Sequence, residues 1–239
     1  MSTHNRPLQR TRRKQRAAEG RRWASQRRGN IKSHAMSGVL SLLPLLLLSA
    51  CASSLSPLED VSLPPERLAL KGYSLLPPDE KGWQIMRRTR SPIHVMLLNH
   101  RSENQDETLV IEASSNRIPE NSQFNEETLQ LIREANARRL KASPRYKRLK
   151  GELALSRPQG MDCIRSYTLD EDYEAAPVKA SGKSGYMIIE LVYISCFHPR
   201  DRLTGIRIDY SQRYYPNHQD PNFLDKANAI FNTIEVTNP

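Results

Sequence analysis

Alternating apolar and polar residues predict a β-strand from Ile206 to Tyr214. One face of this segment is apolar and the other is polar, and a period of two is typical of a strand with one face in the core. The apolar face consists of Ile206, Ile208, Tyr210 and Tyr214, and the polar face of Arg207, Asp209, Ser211 and Arg213. The preceding segment Tyr186–Phe197 is apolar on both faces, which predicts a central strand that is covered on two sides.

The rest of the pattern predicts further strands and two helices. Residues 124–141 begin with acidic and end with basic residues, and Asn125 or Ser122 can cap them, so they predict a helix. A second helix is predicted over 221–234, and its inward residues are Phe223, Ala227, Ile230 and Phe231. The remaining strands are predicted at 83–86, 93–99, 108–113, 148–155 and 162–169. This order predicts a single α+β domain, an antiparallel β-sheet packed by a mid-chain and a C-terminal helix.

The first 50 residues are a basic extension followed by a short apolar segment. That segment covers about 13 residues, from Gly38 to Ala50; this is too short for the ~20 residues of a membrane-spanning helix but typical of a signal peptide. It ends in Leu48-Ser49-Ala50-Cys51, which resembles the lipobox of bacterial lipoproteins. The resemblance implies that the chain is cut before Cys51 and that the Cys51 sulfur carries a diacylglycerol, so that lipid anchors the protein to a membrane.

The resemblance also implies a location in the cell envelope. Ala52 and Ser53 follow Cys51, without the Asp that would favour the inner membrane, so we expect the protein at the outer membrane, facing the periplasm. Residues 51–70 are rich in Ser and Pro and predict a tether, which spans roughly 25 Å when flexible. Residues 71–239 then form the periplasmic domain. The alternatives are an ordinary secretory signal and a buried anchor helix with an incidental Cys51.

The charge of the chain lies almost entirely in this leader. Of 36 Lys and Arg and 26 Asp and Glu, residues 1–50 hold eleven basic residues and the single acid Glu19. Residues 51–239 therefore carry 25 charges of each sign and are neutral. A neutral body lacks the electrostatic field that attracts a phosphate backbone, so we expect no nucleic-acid partner.

Cys163 and Cys196 are the two cysteines that remain after Cys51. They lie in adjacent predicted strands, and in an antiparallel pair whose opposed positions sum to 359, Cys163 faces Cys196. Directly opposed residues have Cβ atoms ~4.5–5.5 Å apart, so a disulfide closes with little movement. Closing this loop of 34 residues contributes at most ~3–4 kcal/mol in the chain-entropy model, and we predict a structural disulfide.

The sequence contains no pattern typical of a known catalytic or cofactor site. No nucleophile elbow, zinc-protease, phosphate-loop or dinucleotide-binding motif occurs. His198 and Asp201 share a turn in which Asp201 could orient the imidazole, but no serine is marked as a nucleophile by its neighbourhood. We therefore expect no catalytic residues, no metal site and no cofactor, and a hydrolase site near His198 remains as an alternative.

Two groups of residues are candidates for binding a partner. The first is a basic cluster that could dock acidic partners or lipopolysaccharide phosphates; it contains Arg138, Arg139, Lys141, Arg145, Lys147 and Arg148. The second consists of Tyr210, Arg213 and Tyr214, residue types that are frequent in binding hot spots. Each group also has an ordinary interpretation, a solvated helix end for the first and inward-packed tyrosines for the second. The acidic residues 170–174 are expected at a solvated hairpin tip.

The order of elements over residues ~75–236 loosely resembles the PsbP/Mog1 class of α/β sandwiches, which includes envelope lipoproteins. The resemblance rests on a Gly-Trp opening strand, a mid-chain helix, a meander and a final helix ending in Phe231-Asn232-Thr233-Ile234. It implies a fold and no activity. The leading hypothesis is a lipid-anchored, non-enzymatic binding or scaffolding protein with an envelope protein partner. The alternatives are the hydrolase and a small-ligand binder with a pocket between sheet and helix.

Overall fold

A computed structural model describes residues 58–87, 93–101, 106–181 and 185–239. The predicted signal peptide, the proposed lipid attachment at Cys51 and the start of the tether lie outside these residues. Within the described part, the chain forms an α+β domain with eleven strands and three α-helices, and no helix there is both long and apolar enough to cross a bilayer.

The strands are β1 (Glu59–Asp60), β2 (Leu68–Leu70), β3 (Tyr73–Leu75), β4 (Trp83–Arg87), β5 (His94–His100), β6 (Thr108–Arg117), β7 (Tyr146–Ser156), β8 (Cys163–Asp172), β9 (Met187–His198), β10 (Asp201–Tyr214) and β11 (Glu235–Val236). The helices are α1 (Glu126–Ala142), α2 (Ala176–Ser181) and α3 (Phe223–Asn232). Each strand pairs with its neighbours in the antiparallel direction.

The strands form one large and one small sheet. The large sheet has eight strands in the order β1-β4-β5-β6-β10-β9-β8-β7, and the small sheet has the order β11-β3-β2. β7 is an edge of the large sheet, where a β-bulge between Arg148 and Lys150 interrupts the register. The Arg133 guanidinium donates to the Leu153 carbonyl, 3.2 Å away. A bulge and an occupied carbonyl both make an edge strand a poorer template for pairing with another chain.

The core lies on one face of the large sheet, which we call the core face. Alternate residues of β6, β8, β9 and β10 point to it, and α3 and the small sheet contribute the opposing side chains. The inward residues of α3 are Phe223, Ala227, Ile230 and Phe231, as the sequence predicted. The opposite face of the sheet, the second face, is approached by α1.

The structure extends several predicted elements, and two short strands lie within the predicted tether. α1 begins at Glu126 because Asn125 caps it, its Oδ1 accepting the Thr128 N–H at 2.9 Å. The end of the predicted 51–70 tether is part of the fold, because β1 pairs with β4 and β2 buries Leu68 and Leu70. Strands of two or three residues are too short to show a period, so the sequence did not reveal the small sheet.

The predicted disulfide between Cys163 and Cys196 is present. The two residues are directly opposed in the β8–β9 pair, and the same register places Tyr167 opposite Val192 and Thr168 opposite Leu191. Both half-cystines are buried in the core face. The bond therefore joins two central strands inside the hydrophobic core.

Candidate functional site

Half of the predicted basic cluster is engaged within the protein. In the register of β7 and β8, Arg148 and Lys147 oppose Asp170 and Glu171. The Lys147 Nζ lies 3.0 Å from a Glu171 carboxylate oxygen, and Arg148 is bonded to Asp170. Arg145, just before β7, donates to both carboxylate oxygens of Asp172 at 2.7 Å. These three basic side chains are satisfied by the neighbouring strand, so they are not a free docking surface.

The expectation of a solvated acidic tip at 170–174 is therefore wrong. β8 continues through Asp172, whose side chain is fully buried. Burial raises the pKa of the Asp172 carboxyl, but hydrogen bonds from Arg145 and the Glu174 N–H, with the charge of Arg213, outweigh this and leave the pKa below its ordinary value. Opposite charges on adjacent strands thus hold the first residues of β7 to the last residues of β8.

Tyr210 and Tyr214 are also unsuited to binding a partner. They are only 1% and 3% exposed, and the Tyr210 ring packs against Phe223 at a centroid distance of 5.2 Å. Arg213 lies on the other face of β10 and contacts the Asp172 carboxylate at 3.3 Å. The ordinary interpretation of inward-packed tyrosines is confirmed, so Tyr210 and Tyr214 present no exposed surface to a partner.

A buried polar cluster surrounds Glu190, a residue that no sequence motif marks. Glu190 is 2% exposed, and Tyr167 and Gln212 each donate to one of its carboxylate oxygens at 2.7 Å. Tyr214 and Gln219 donate at 3.3 and 3.4 Å. Burial, together with the Glu190 carboxylate, raises the pKa of both tyrosines, so their hydroxyls remain donors. A single Glu in an apolar strand, at a core-face position, was the signal.

His198 uses both ring nitrogens to hold backbone atoms. Its Nε2 donates to the Thr237 carbonyl at 3.0 Å, and its Nδ1 accepts the Arg200 N–H at 3.2 Å. Asp201 accepts from Thr204 and the Leu203 N–H instead of orienting the imidazole. The side chain is fully buried, and this arrangement leaves no ring nitrogen for proton transfer to a substrate.

A concave site lies between α1 and the second face of the large sheet, with a volume of about 640 Å³. We call it the α1 groove. Its floor consists of Ile164, Ser166, Thr168 and Asp170 from β8, Ile189, Leu191, Tyr193 and Ser195 from β9, and Arg207 from β10. Its roof is formed by one face of α1, with Ile132, Asn136, Arg139 and Leu140. Phe124, Ser143, Tyr146 and Arg148 complete the lining.

The groove exists because α1 packs loosely against the sheet. This helix of 17 residues buries only Leu129, whereas the 10-residue α3 buries four side chains. The apolar face of α1 has few residues. The sheet beneath it carries small polar residues, such as Ser166 and Thr168, next to the apolar residues Ile164 and Leu191. Protein interiors have few voids larger than a water molecule, while small-molecule sites measure ≈ 300–1,000 Å³. The α1 groove has the size of a binding site.

The charges around the α1 groove are not all balanced. Arg207 stacks on the Tyr193 ring at 4.2 Å and contacts Asp209 at 3.0 Å. Burial raises the pKa of Asp209, and Arg207 partly opposes that rise. Arg148 is bonded to Asp170, but Arg139 has no ion-pair partner among the described residues. One basic side chain of the lining is therefore available for an anion.

The outer surface of α1 retains part of the predicted cluster. Arg138, with a side chain 73% exposed, makes only a 3.8 Å contact with Glu134, and Arg139 and Lys141 are also exposed. Of the six residues in the predicted basic cluster, only these three lie free of the β7–β8 ion pairs.

Comparisons with known proteins bear on the fold alone. No protein-family model matches the chain, and no curated protein is significantly similar to it. The structure is similar to the solution structure of cyanobacterial PsbP from Synechocystis sp. PCC 6803, with 12% identity, a TM-score of 0.42 and coverage of 70% of this chain and 87% of that chain. It is also similar to a mutant of protein Mog1, with 12% identity, a TM-score of 0.38 and coverage of 72% and 96%. Both agree with the loose resemblance expected from the sequence.

Proposed function

We propose that this chain is a lipid-anchored, non-enzymatic binding protein of the bacterial cell envelope. In this proposal Cys51 holds it at the outer membrane, facing the periplasm, and the α1 groove binds its ligand. The observation that carries the binding role is the groove itself, a site of about 640 Å³ whose floor combines apolar residues with polar ones. The lipobox supports the anchor.

Two further observations favour binding over catalysis. The described titratable residues that line the groove are three arginines, one aspartate and two tyrosines, and Arg148 holds that aspartate in an ion pair. Among the residues that the structure describes, the lining contains no histidine, glutamate or lysine that could act as a general base. The arrangement around His198 also provides no free ring nitrogen. The hydrolase alternative therefore has no candidate base at either place.

A photoreactive amino acid placed in the groove of the anchored protein tests this proposal. We expect a probe at Leu191, on the floor, to form adducts in intact cells, and a probe at Gln130, on the exposed side of α1, to form few. The protein should be recovered with the outer membrane. Adducts from a probe at Arg138 without any from Leu191 would instead support scaffolding through the outer surface of α1. Recovery as a soluble periplasmic protein would contradict the anchor.

A further inference from the structure

The α1 groove is elongated, and an apolar strip runs along it beside the polar residues of β8. Its floor follows β8 from Ile164 to Asp170, six residue steps that span about 20 Å in an extended strand. Leu191 and Ile189 lie beside this path on β9, and Ile132 and Leu140 lie above it on α1. A ligand with a long, narrow apolar part fits this strip better than a compact polar one does.

One end of the groove is basic. Arg139 is in the last turn of α1, and Arg148 opposes Asp170 at the same end of the floor. Of the three arginines in the lining, Arg148 pairs with Asp170, and Arg207, at the opposite end beside Ser195, pairs with Asp209. Arg139 has no ion-pair partner among the described residues. Arginine binds carboxylates and phosphates through two parallel N–H donors. The charge therefore complements a ligand with an anionic group at one end.

We infer that the α1 groove binds a single acyl chain with an anionic head group, a carboxylate or a phosphate. The head group contacts Arg139, and the chain lies along Leu191 and Ile189 beneath Ile132 and Leu140. This inference rests on the proposed function, because it names the ligand class of the same groove. It adds a chemical expectation: each further methylene strengthens binding about fourfold until the groove is filled.

The test uses the full-length anchored protein in nanodiscs of phosphatidylcholine. A diazirine-bearing analogue of palmitate is added and photolysed, and proteolytic peptides are mapped by mass spectrometry. We expect adducts on the peptides that contain Leu191 and Ile132. Unlabelled fatty acids of increasing chain length should compete with increasing strength, and hexadecanol, which lacks the charge, should compete more weakly than palmitate. Lysophosphatidate is the second competitor, and its strength relative to palmitate shows whether a lipid phosphate or a free carboxylate is preferred.

Two variants separate charge from shape. Arg139→Gln should reduce the preference for palmitate over hexadecanol at least fivefold. Because the Arg139 side chain is exposed, we expect this variant to fold. Arg157→Gln is the matched control, since Arg157 is 79% exposed and pairs with Asp162 outside the groove, and it should leave the preference unchanged. Leu191→Gln should weaken all competitors alike.

The inference is overturned if adducts are spread over the protein surface, if palmitate does not displace them, or if Arg139→Gln and Arg157→Gln behave alike. The same digest reports on the proposed anchor. An acylated Cys51 peptide without groove adducts removes the ligand class and leaves the anchored binding protein intact. An unmodified Cys51 still joined to Ala50 removes the anchor itself.

Discussion

Replacing Asp172 with asparagine removes a buried charge on which two arginines converge. The carboxylate accepts two hydrogen bonds from Arg145 at 2.7 Å and one from the Glu174 N–H at 3.1 Å, and Arg213 lies 3.3 Å away. Breaking a buried ion pair from one side costs ~3–5 kcal/mol. The Arg145 and Arg213 side chains are 34% and 30% exposed, so water can solvate them in the variant. We therefore expect Asp172→Asn to lower the free energy of unfolding by about 2–3 kcal/mol at pH 7.

The stabilisation by Asp172 should depend on pH in a defined direction. The pKa of Asp172 in the folded protein is below its ordinary value of 3.8, so its contribution is fully present above that value and is lost as the pH falls through the lower folded value. The difference between wild type and Asp172→Asn should therefore shrink below about pH 4. Urea unfolding followed by Trp83 fluorescence at a series of pH values measures it.

The matched control is Glu152→Gln on the neighbouring strand. Glu152 pairs with Lys150, but both side chains are about 60% exposed, and such pairs contribute ~0–1 kcal/mol. A loss for Asp172→Asn no larger than that of the control would refute the reasoning. So would a loss of full size that persists at pH 2.

Three further predictions address the disulfide, the anchor and the turn at the end of β9. Cys163→Ala, Cys196→Ala and the double variant should each lower the free energy of unfolding by up to ~4 kcal/mol, and urea titrations showing additive losses would contradict a shared bond. Cys51→Ser should abolish metabolic acyl labelling and release the protein from membranes, whereas continued labelling would remove the lipoprotein assignment. His198→Ala should cost about 2–4 kcal/mol in the same titrations, because it deletes a buried ring with two hydrogen bonds to backbone, and ligand capture at the α1 groove by the folded fraction should be unchanged.

The sequence predicted the parts of the fold that carry a long period or a fixed register. The alternation of β10 placed Ile206, Ile208 and Tyr210 on the core face, as the structure has them. The disulfide register was also recoverable, because two cysteines in adjacent strands allow one antiparallel pairing that brings them together. The inward residues of α3 followed from its helical period.

The prediction for residues 170–174 was wrong because their composition is also typical of a solvated turn. Consecutive acids such as Asp170 and Asp172 resemble a turn, and only pairing them with the basic run that ends at Arg148 shows a charged strand pair. Testing the two runs for an antiparallel register would have revealed this. The α1 groove could not be located from the sequence, because the distance of a helix from a sheet depends on how all its side chains pack. The sequence of α1 showed only a partial apolar face.

The small sheet has a consequence for the order in which the protein can fold. β3 pairs with β11, about 160 residues further along the chain, and the Gly72 carbonyl accepts the Thr237 N–H at 3.0 Å. Tyr73 and Leu75 are fully buried, so the β2–β3 hairpin cannot bury its side chains completely until β11 pairs with β3. Pairing across so many residues is slow. If the chain is exported as proposed, this delay keeps it unfolded, and therefore able to pass through a translocation channel, until its final residues have crossed.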